Sequence, residues 1–103
     1  MSGEFTRFCK VSELPPESKK AAKLNNTWVL VCHMDGRLFA VSGVCSHQVK
    51  PLVNGRVRHC MITCPVHGAR FNLETGAALN LPATQPIATY ELRVVDDWIE
   101  VRV

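Results

Sequence analysis

Residues 45–68 read CSHQVKPLVNGRVRHCMITCPVHG. Cysteine and histidine stand there in two short motifs, Cys45-Ser46-His47 and Cys64-Pro65-Val66-His67. Both motifs fall where the alternation of apolar and polar residues breaks off, in segments 45–53 and 64–68, which predicts two loops. Functional side chains are commonly carried by loops on a rigid scaffold. We therefore expect Cys45, His47, Cys64 and His67 to form one site.

The remainder of the chain is patterned for β-structure, because its apolar residues recur with a period of two. The predicted strands are Phe5–Cys9, Trp28–Cys32, Leu38–Val44, Val57–Ile62, Ile87–Val95 and Trp98–Val103. Turn residues separate them at Asn25-Asn26, Asp35-Gly36, Asn54-Gly55 and Asp96-Asp97. We predict an all-β chain folded as a small sandwich or barrel, with residues 1–103 forming a single domain.

Only one segment has helical character. Ser12–Leu14 could form a single turn before Pro15-Pro16 ends it, since proline lacks a backbone donor and clashes with the preceding turn. Residues 15–23 are then predicted to form a surface loop that leads into a strand.

Composition excludes several classes of function. Twelve Lys and Arg against nine Asp and Glu give a net charge of +3, without the basic tract that would follow nucleic-acid phosphates. No stretch approaches the roughly 20 apolar residues of a membrane helix, and no signal peptide is expected. Five cysteines without a signal peptide indicate a reducing compartment, where nearby Cys and His are more often metal ligands than disulfide partners. We expect a cytoplasmic protein.

The four candidate ligands suit two kinds of metal site. Thiolate ligands suit ferric iron, and imidazole ligands suit an iron that is more easily reduced. Two Cys and two His on two loops can therefore hold an asymmetric cluster of two irons. A Cys2His2 zinc site accepts the same ligands in tetrahedral geometry. Zinc sites usually pair their ligands as C-x-x-C or H-x-x-x-H, and neither spacing occurs here. The spacing favours the cluster, with a zinc-stabilised binding module as the alternative.

The other cysteines and histidines are predicted to be structural. Cys9 and Cys32 are expected in the core, and His33 on the surface at the end of a strand. Alternation along the strand Val57–Ile62 would place His59 and Cys60 on opposite faces, so Cys60 is not expected to be a ligand.

A family resemblance adds to this interpretation. The motifs that carry it are Cys45-Ser46-His47-Gln48, Asn54-Gly55, Cys64-Pro65-Val66-His67-Gly68-Ala69-Arg70-Phe71, Leu73-Glu74-Thr75-Gly76 and Pro82-Ala83. Together they resemble a Rieske-type [2Fe–2S] ferredoxin over nearly the whole chain. The resemblance implies an antiparallel β-sandwich with a small cluster-binding subdomain of two loops, and one [2Fe–2S] cluster as the cofactor.

The resemblance also implies roles for individual residues. Cys45 and Cys64 would ligate the inner iron, and His47 and His67 the outer iron. Gly68 would bring backbone N–H groups close to the cluster sulfides, and a loop containing Pro82, residues 79–86, would cover one side. Lys50 and Val66 stand where the respiratory branch of the family has two cysteines, so no disulfide between the loops is expected.

The implied function is electron transfer rather than catalysis. The chain resembles the ferredoxin component of bacterial aromatic-ring-hydroxylating dioxygenase systems, which passes electrons from a flavin-dependent reductase to a terminal oxygenase. We expect a monomer that makes transient contacts around His47 and His67, with Gln48, Lys50, Pro51 and Pro82 at the rim. The small subunit of an NAD(P)H-dependent nitrite reductase is the alternative role.

Two substitutions relative to the respiratory branch predict a low reduction potential. Ala69 and Phe71 replace a serine and a tyrosine whose hydroxyl groups hydrogen-bond the cluster in that branch. Fewer donors leave the charge of the reduced state less stabilised, so we expect a potential toward the low end of the Rieske range of roughly −150 to +300 mV. Voltammetry near neutral pH tests this expectation, and a clearly positive value would contradict it.

Overall fold

The structure is a computed structural model that describes residues 4–45, 51–65, 68–81 and 85–103. Those residues form ten strands and one short 3-10 helix, Val11–Glu13, and contain no α-helix. The strands are β1 (Phe5–Lys10), β2 (Ser18–Leu24), β3 (Thr27–Met34), β4 (Arg37–Ser42), β5 (Arg56–Arg58), β6 (Met61–Thr63), β7 (Arg70–Asn72), β8 (Thr89–Tyr90), β9 (Leu92–Val95) and β10 (Trp98–Arg102). The predicted all-β class is confirmed.

The strands form three antiparallel sheets. One has the order β1-β10-β9, the central one β2-β3-β4-β8, and the small one β5-β6-β7. No helix in the described ranges has the length and apolar character needed to cross a membrane.

The strand β3, an inner strand of the central sheet, is buried on both faces. In β3, Val29, Leu30, Val31 and Cys32 are four consecutive residues with no exposed surface. Because side chains alternate between the faces of a strand, Val29 and Val31 pack on one side while Leu30 and Cys32 pack on the other. This strand is therefore a continuous apolar run and not a half-buried strand of alternating polarity.

Each face of the central sheet contributes to a separate core. The first core joins Val29, Val31 and Ala40 to Cys9 of β1 and to Ile99 and Val101 of β10, which makes the predicted antiparallel sandwich. The second core joins the opposite face to the small sheet, which projects Ile62 and Phe71 inward. The second core also holds the two cysteines of the predicted site.

Three predicted turns are confirmed by their backbone geometry. Asn25 and Asn26 have φ of 48° and 64°, and Asp96 and Asp97 have φ of 49° and 69°. Asp35-Gly36 has the same left-handed pair, at 53° and 73°. Two adjacent residues with positive φ give the twist that a tight hairpin needs.

The predicted single strand Val57–Ile62 is wrong. Residues 56–63 form a hairpin in which Arg58 pairs with Met61, and His59 and Cys60 make the turn with φ of 52° and 59°. Neither residue is a strong turn signal, whereas the apolar residues on either side continue the strand pattern. Cys60 consequently lies in a turn, half-buried against the second core, and not on a strand face.

The predicted surface loop 15–23 is also wrong, because Ser18–Leu24 pairs along its whole length with β3. Its lysines and alanines have low β-propensity, and lysines are common on edge strands, where they discourage pairing with other chains. The predicted strand Ile87–Val95 is divided in the structure, since β8 pairs with β4 and β9 pairs with β10. The strand β7 was not predicted.

The predictions for the structural side chains are mostly confirmed. Cys9 and Cys32 are buried, at 2% and 0% exposure. His33 differs from expectation, because it is half-buried and its Nδ1 lies 2.9 Å from the carbonyl oxygen of Leu14. That contact ties the segment after the 3-10 helix to the end of β3.

Candidate metal centre

The first site loop is closed at its base by backbone pairing. Val44 forms an isolated antiparallel bridge with Pro51, and the N–H of Leu52 donates to the carbonyl of Gly43 at 2.9 Å. Cys45 follows Val44 directly and is buried at 2% exposure. The backbone pairing therefore fixes the point at which this thiol enters the second core.

The second site loop joins β6 to β7 and is closed in a similar way. The N–H of Cys64 donates to the carbonyl of Ala69 at 2.6 Å, and the N–H of Gly68 donates to the carbonyl of Cys64 at 3.0 Å. Gly68 has φ of +74°, a conformation that other residues adopt only with strain. The N–H of Gly68 thus closes the loop onto the carbonyl of Cys64. Cys64 is buried at 3% exposure.

Gly55 allows the two loops to approach each other. Its N–H donates to the carbonyl of Leu52 at 2.8 Å, which turns the chain after the first loop. A Cβ atom at Gly55 would collide with the backbone carbonyl of Thr63, the residue before Cys64. The sequence motif Asn54-Gly55 predicted a turn at this point but not this close contact.

A third segment, residues 78–81, is attached to the second loop. Ala78 pairs with Phe71, and the N–H of Leu79 donates to the carbonyl of Arg70 at 2.8 Å. The Asn80 side chain makes two further hydrogen bonds: its Oδ1 accepts from the N–H of Arg70 at 2.7 Å, and its Nδ2 donates to the carbonyl of Gly68 at 3.2 Å. Asn80 was not predicted as a site residue, because an isolated asparagine before Leu-Pro matches no ligand motif.

The remaining buried thiols are unsuitable as ligands. Burial raises the pKa of Cys32 to about 12, although nearby Lys19 opposes the shift. Burial also raises the pKa of Cys9. A metal binds the thiolate form, so both residues are protonated core cysteines at neutral pH.

The donors in the described part of the site fit an iron–sulfur cluster. Cys45 and Cys64 are free thiols, each at the first position of a backbone-closed loop, and they share one apolar core. His47 and His67 lie outside the described residues, as do Gln48, Lys50, Val66 and Pro82. Within residues 4–45, 51–65, 68–81 and 85–103, no three Cys, His, Asp or Glu side chains are grouped as a metal site.

Comparison with known proteins decides the family. The model of the Rieske [2Fe–2S] domain matches residues 4–91. This chain belongs to the Rieske [2Fe–2S] domain family. Its cofactor is one Rieske-type [2Fe–2S] cluster, its role is electron transfer, and the zinc alternative is set aside.

Individual relatives agree with this assignment. The chain is 38% identical over 96 residues to the 3-phenylpropionate/cinnamic acid dioxygenase ferredoxin subunit of Photorhabdus laumondii, covering 92% of this chain and 90% of that one. The structure of this chain is similar to that of the ferredoxin of carbazole 1,9a-dioxygenase from Nocardioides aromaticivorans IC177, with a TM-score of 0.90 and 29% identity. The match covers 96% of this chain and 97% of that ferredoxin.

A Mycobacterium tuberculosis structure, described as a putative NADH-dependent nitrite reductase small subunit, has a TM-score of 0.87. Its identity is 22%, with coverage of 100% of this chain and 96% of that one, and at this identity it shows the shared fold alone.

The hydrogen bonds of Asn80 predict that this residue helps to retain the cluster. Asn80→Ala removes two hydrogen bonds, each contributing about 0.5–1.5 kcal/mol, between segment 78–81 and the second loop. We expect iron to be released to a chelator several times faster, as measured by loss of visible absorbance. Asn54→Ala, at an exposed asparagine, is the control, and equal rates in the two variants would contradict the prediction.

Proposed function

We propose that Cys45, His47, Cys64 and His67 hold the cluster and that the chain carries single electrons between two other proteins, without catalysing a reaction itself. A Rieske cluster, when bound, supplies reversible one-electron oxidation and reduction. The observation that carries the proposal is the burial of two free cysteines, 45 and 64, at the bases of two closed loops in one apolar core.

The residues that surround Cys45 and Cys64 are apolar and offer few hydrogen-bond donors. Ala69 and Phe71 are fully buried in the core that also contains Cys45 and Cys64, and neither has a hydroxyl group. The N–H of Gly68 is engaged by the Cys64 carbonyl. Few donors and low solvent exposure both disfavour added negative charge, which supports the low potential predicted from the sequence.

Exposed apolar residues beside the second loop suit a transient protein contact. Leu79 and Leu81 are 46% and 77% exposed, and they flank Asn80, whose side chain is bonded to Gly68. Redox complexes are small and short-lived, and an apolar patch within a polar surface is sufficient for them. We infer that partners contact the tip of the second loop together with these leucines.

The partners that we propose are a flavin-dependent ferredoxin reductase as donor and the terminal oxygenase of a ring-hydroxylating dioxygenase as acceptor. The similarity to the two dioxygenase ferredoxins supports this proposal, since the chain covers nine-tenths or more of both. We further propose a monomeric, cytoplasmic protein in which residues 1–103 form one domain. The pairing of β1 with β10, which joins early and late parts of the chain, supports the single domain.

The ligand assignment predicts which cysteines and histidines are indispensable. Replacing Cys45, His47, Cys64 or His67 by alanine should abolish bound iron and acid-labile sulfide, because each change removes one of four protein ligands. Cys9→Ala and Cys32→Ala are matched controls in the core and should retain both. Analysis of iron and sulfide per chain, with the visible spectrum, checks the prediction. If Cys45→Ala retains the cluster and Cys60→Ala loses it, Cys60 and not Cys45 is the ligand, and the assignment is wrong.

Reconstitution tests the proposed role. The holoprotein is combined with NADH, a flavin-dependent ferredoxin reductase and the ring-hydroxylating oxygenase of a dioxygenase system. We expect hydroxylated product to form only when the holoprotein is present, and Cys64→Ala is the inactive control. Product formation at the same rate without the holoprotein contradicts the carrier role. If the holoprotein supports nitrite reduction by a nitrite reductase large subunit but does not support hydroxylation, the nitrite reductase role is favoured instead.

A further inference from the structure

The outer face of the small sheet carries three arginines. Because β5, β6 and β7 direct Ile62 and Phe71 into the core, the alternate residues of the three strands point outward. The register places Arg56 opposite Thr63 and Thr63 opposite Arg70, so that one row crosses the sheet. Arg58 lies two residues from Arg56 on the same face. All three arginines are exposed.

These arginines differ from the other four in the chain. Arg7, Arg37, Arg93 and Arg102 each form a salt bridge with a carboxylate of the chain itself, at N–O distances of 2.7 to 3.9 Å. None of the salt bridges among the described residues involves Arg56, Arg58 or Arg70. Three guanidinium groups on one face therefore have no carboxylate partner within the described part of the chain.

The segment of sequence that contains these arginines has no acidic residue before Glu74, whose carboxylate pairs with Arg37. Asp and Glu are absent between Asp35 and Glu74, whereas Arg37, Lys50, Arg56, Arg58 and Arg70 all lie in that interval. The interval contains both site loops and the whole small sheet. Residues 43–73, which hold both loops and the small sheet, contain four basic residues, Lys50, Arg56, Arg58 and Arg70, and no acidic one, so positive charge is concentrated in this part of the chain.

The arginine face lies beside the proposed cluster site. Thr63 immediately precedes Cys64, and Arg70 immediately follows Ala69, so two of the three side chains in the row adjoin the two ends of the second loop. A shallow groove of about 220 Å³ lies on this face, lined by Arg56, Arg58, His59, Met61, Thr63 and Arg70. A partner bound there would be close to the loop through which electrons are proposed to pass.

We propose that the face defined by Arg56, Arg58 and Arg70, here called the arginine face, docks an acidic surface patch of a redox-partner protein. This proposal rests on the proposed electron-carrier function. Arginine presents a planar fork of donors that pairs with a carboxylate through two hydrogen bonds, and Arg and Met are both enriched at protein interfaces. Met61 pairs with Arg58 across the hairpin and lines the same groove, where it offers an apolar contact.

The size of the arginine face favours an acidic protein over a nucleic acid. Its strands are three residues each, so the face extends about 10 Å along the strands. The exposed lysines of β2 belong to the central sheet and do not extend this row. The basic surface is a compact patch and not a continuous track along which a phosphate backbone could lie.

Electron transfer to oppositely charged acceptors tests the proposal. The reduced holoprotein is mixed in a stopped-flow instrument with an acidic b-type cytochrome, a basic c-type cytochrome or a small uncharged oxidant. The test variant is the triple substitution Arg56→Gln, Arg58→Gln and Arg70→Gln. The control variant is Arg7→Gln, Arg37→Gln and Arg102→Gln, which changes the net charge equally but elsewhere on the surface. Iron content and visible spectra establish that both variants hold the cluster.

We expect the test variant to reduce the acidic cytochrome about tenfold more slowly at low ionic strength, because a localised patch steers association at long range. The rate at which this variant reduces the acidic cytochrome should also depend less on salt concentration. With the acidic cytochrome, the rate of the control variant should fall by less than about twofold. The uncharged oxidant should be reduced at the same rate by the wild type and by both variants. A third variant, Arg56→Lys, Arg58→Lys and Arg70→Lys, keeps the charge and should retain most of the rate.

The outcomes separate this proposal from the proposed function. Equal slowing in the test and control variants overturns the arginine face, since net charge alone would then explain the effect. No slowing in the test variant also overturns it. If the test variant keeps its rate but no longer binds a single-stranded oligonucleotide that the wild type binds, the arginine face binds nucleic acid and the proposed protein docking is wrong. If the wild-type holoprotein reduces none of the three oxidants, the electron-carrier function itself fails.

Discussion

Burial of β3 on both faces is the constraint on which the other parts of the structure depend. Val29 and Val31 close the sandwich, while Leu30 and Cys32 support the core beneath the site loops. All four have no exposed surface, and fully burying a valine or leucine side chain contributes about 1.5–3 kcal/mol. The scaffold and the site are therefore stabilised through one strand, and a change that disturbs its packing acts on both.

The site is constructed from backbone pairing more than from side-chain contacts. Each loop is closed by main-chain hydrogen bonds directly beside its cysteine, and Gly55 brings the first loop against the strand that leads to Cys64. Asn80 then connects a third segment to the second loop through its amide. Main-chain closure positions the thiols with few rotatable bonds, which suits a site that must hold its geometry when its charge changes.

The sequence predicted the features that depend on local chemistry. Adjacent Asn or Asp residues identified turns of positive φ, and the spacing of Cys45, His47, Cys64 and His67 led to the family that the comparison confirmed. It did not predict features that depend on tertiary pairing. Lysine-rich Ser18–Leu24 becomes a strand because β3 provides its partner, and His59-Cys60 becomes a turn because Arg58 and Met61 pair. The close approach of Gly55 to Thr63 and the hydrogen bonds of Asn80 to Gly68 and Arg70 likewise arise only when separate segments of the chain come together.

The pairing of β1 with β10 has a consequence for how the molecule can be combined with others. Phe5 lies opposite Arg102, so the chain enters and leaves the fold side by side. Both of these strands belong to the sheet on the far side of the sandwich from the small sheet. Such an arrangement permits the whole fold to be inserted into a surface loop of a larger polypeptide through two neighbouring junctions. The redox module could thereby become a built-in part of a host protein while the small sheet and the loop between β6 and β7 lie on the side away from the two junctions.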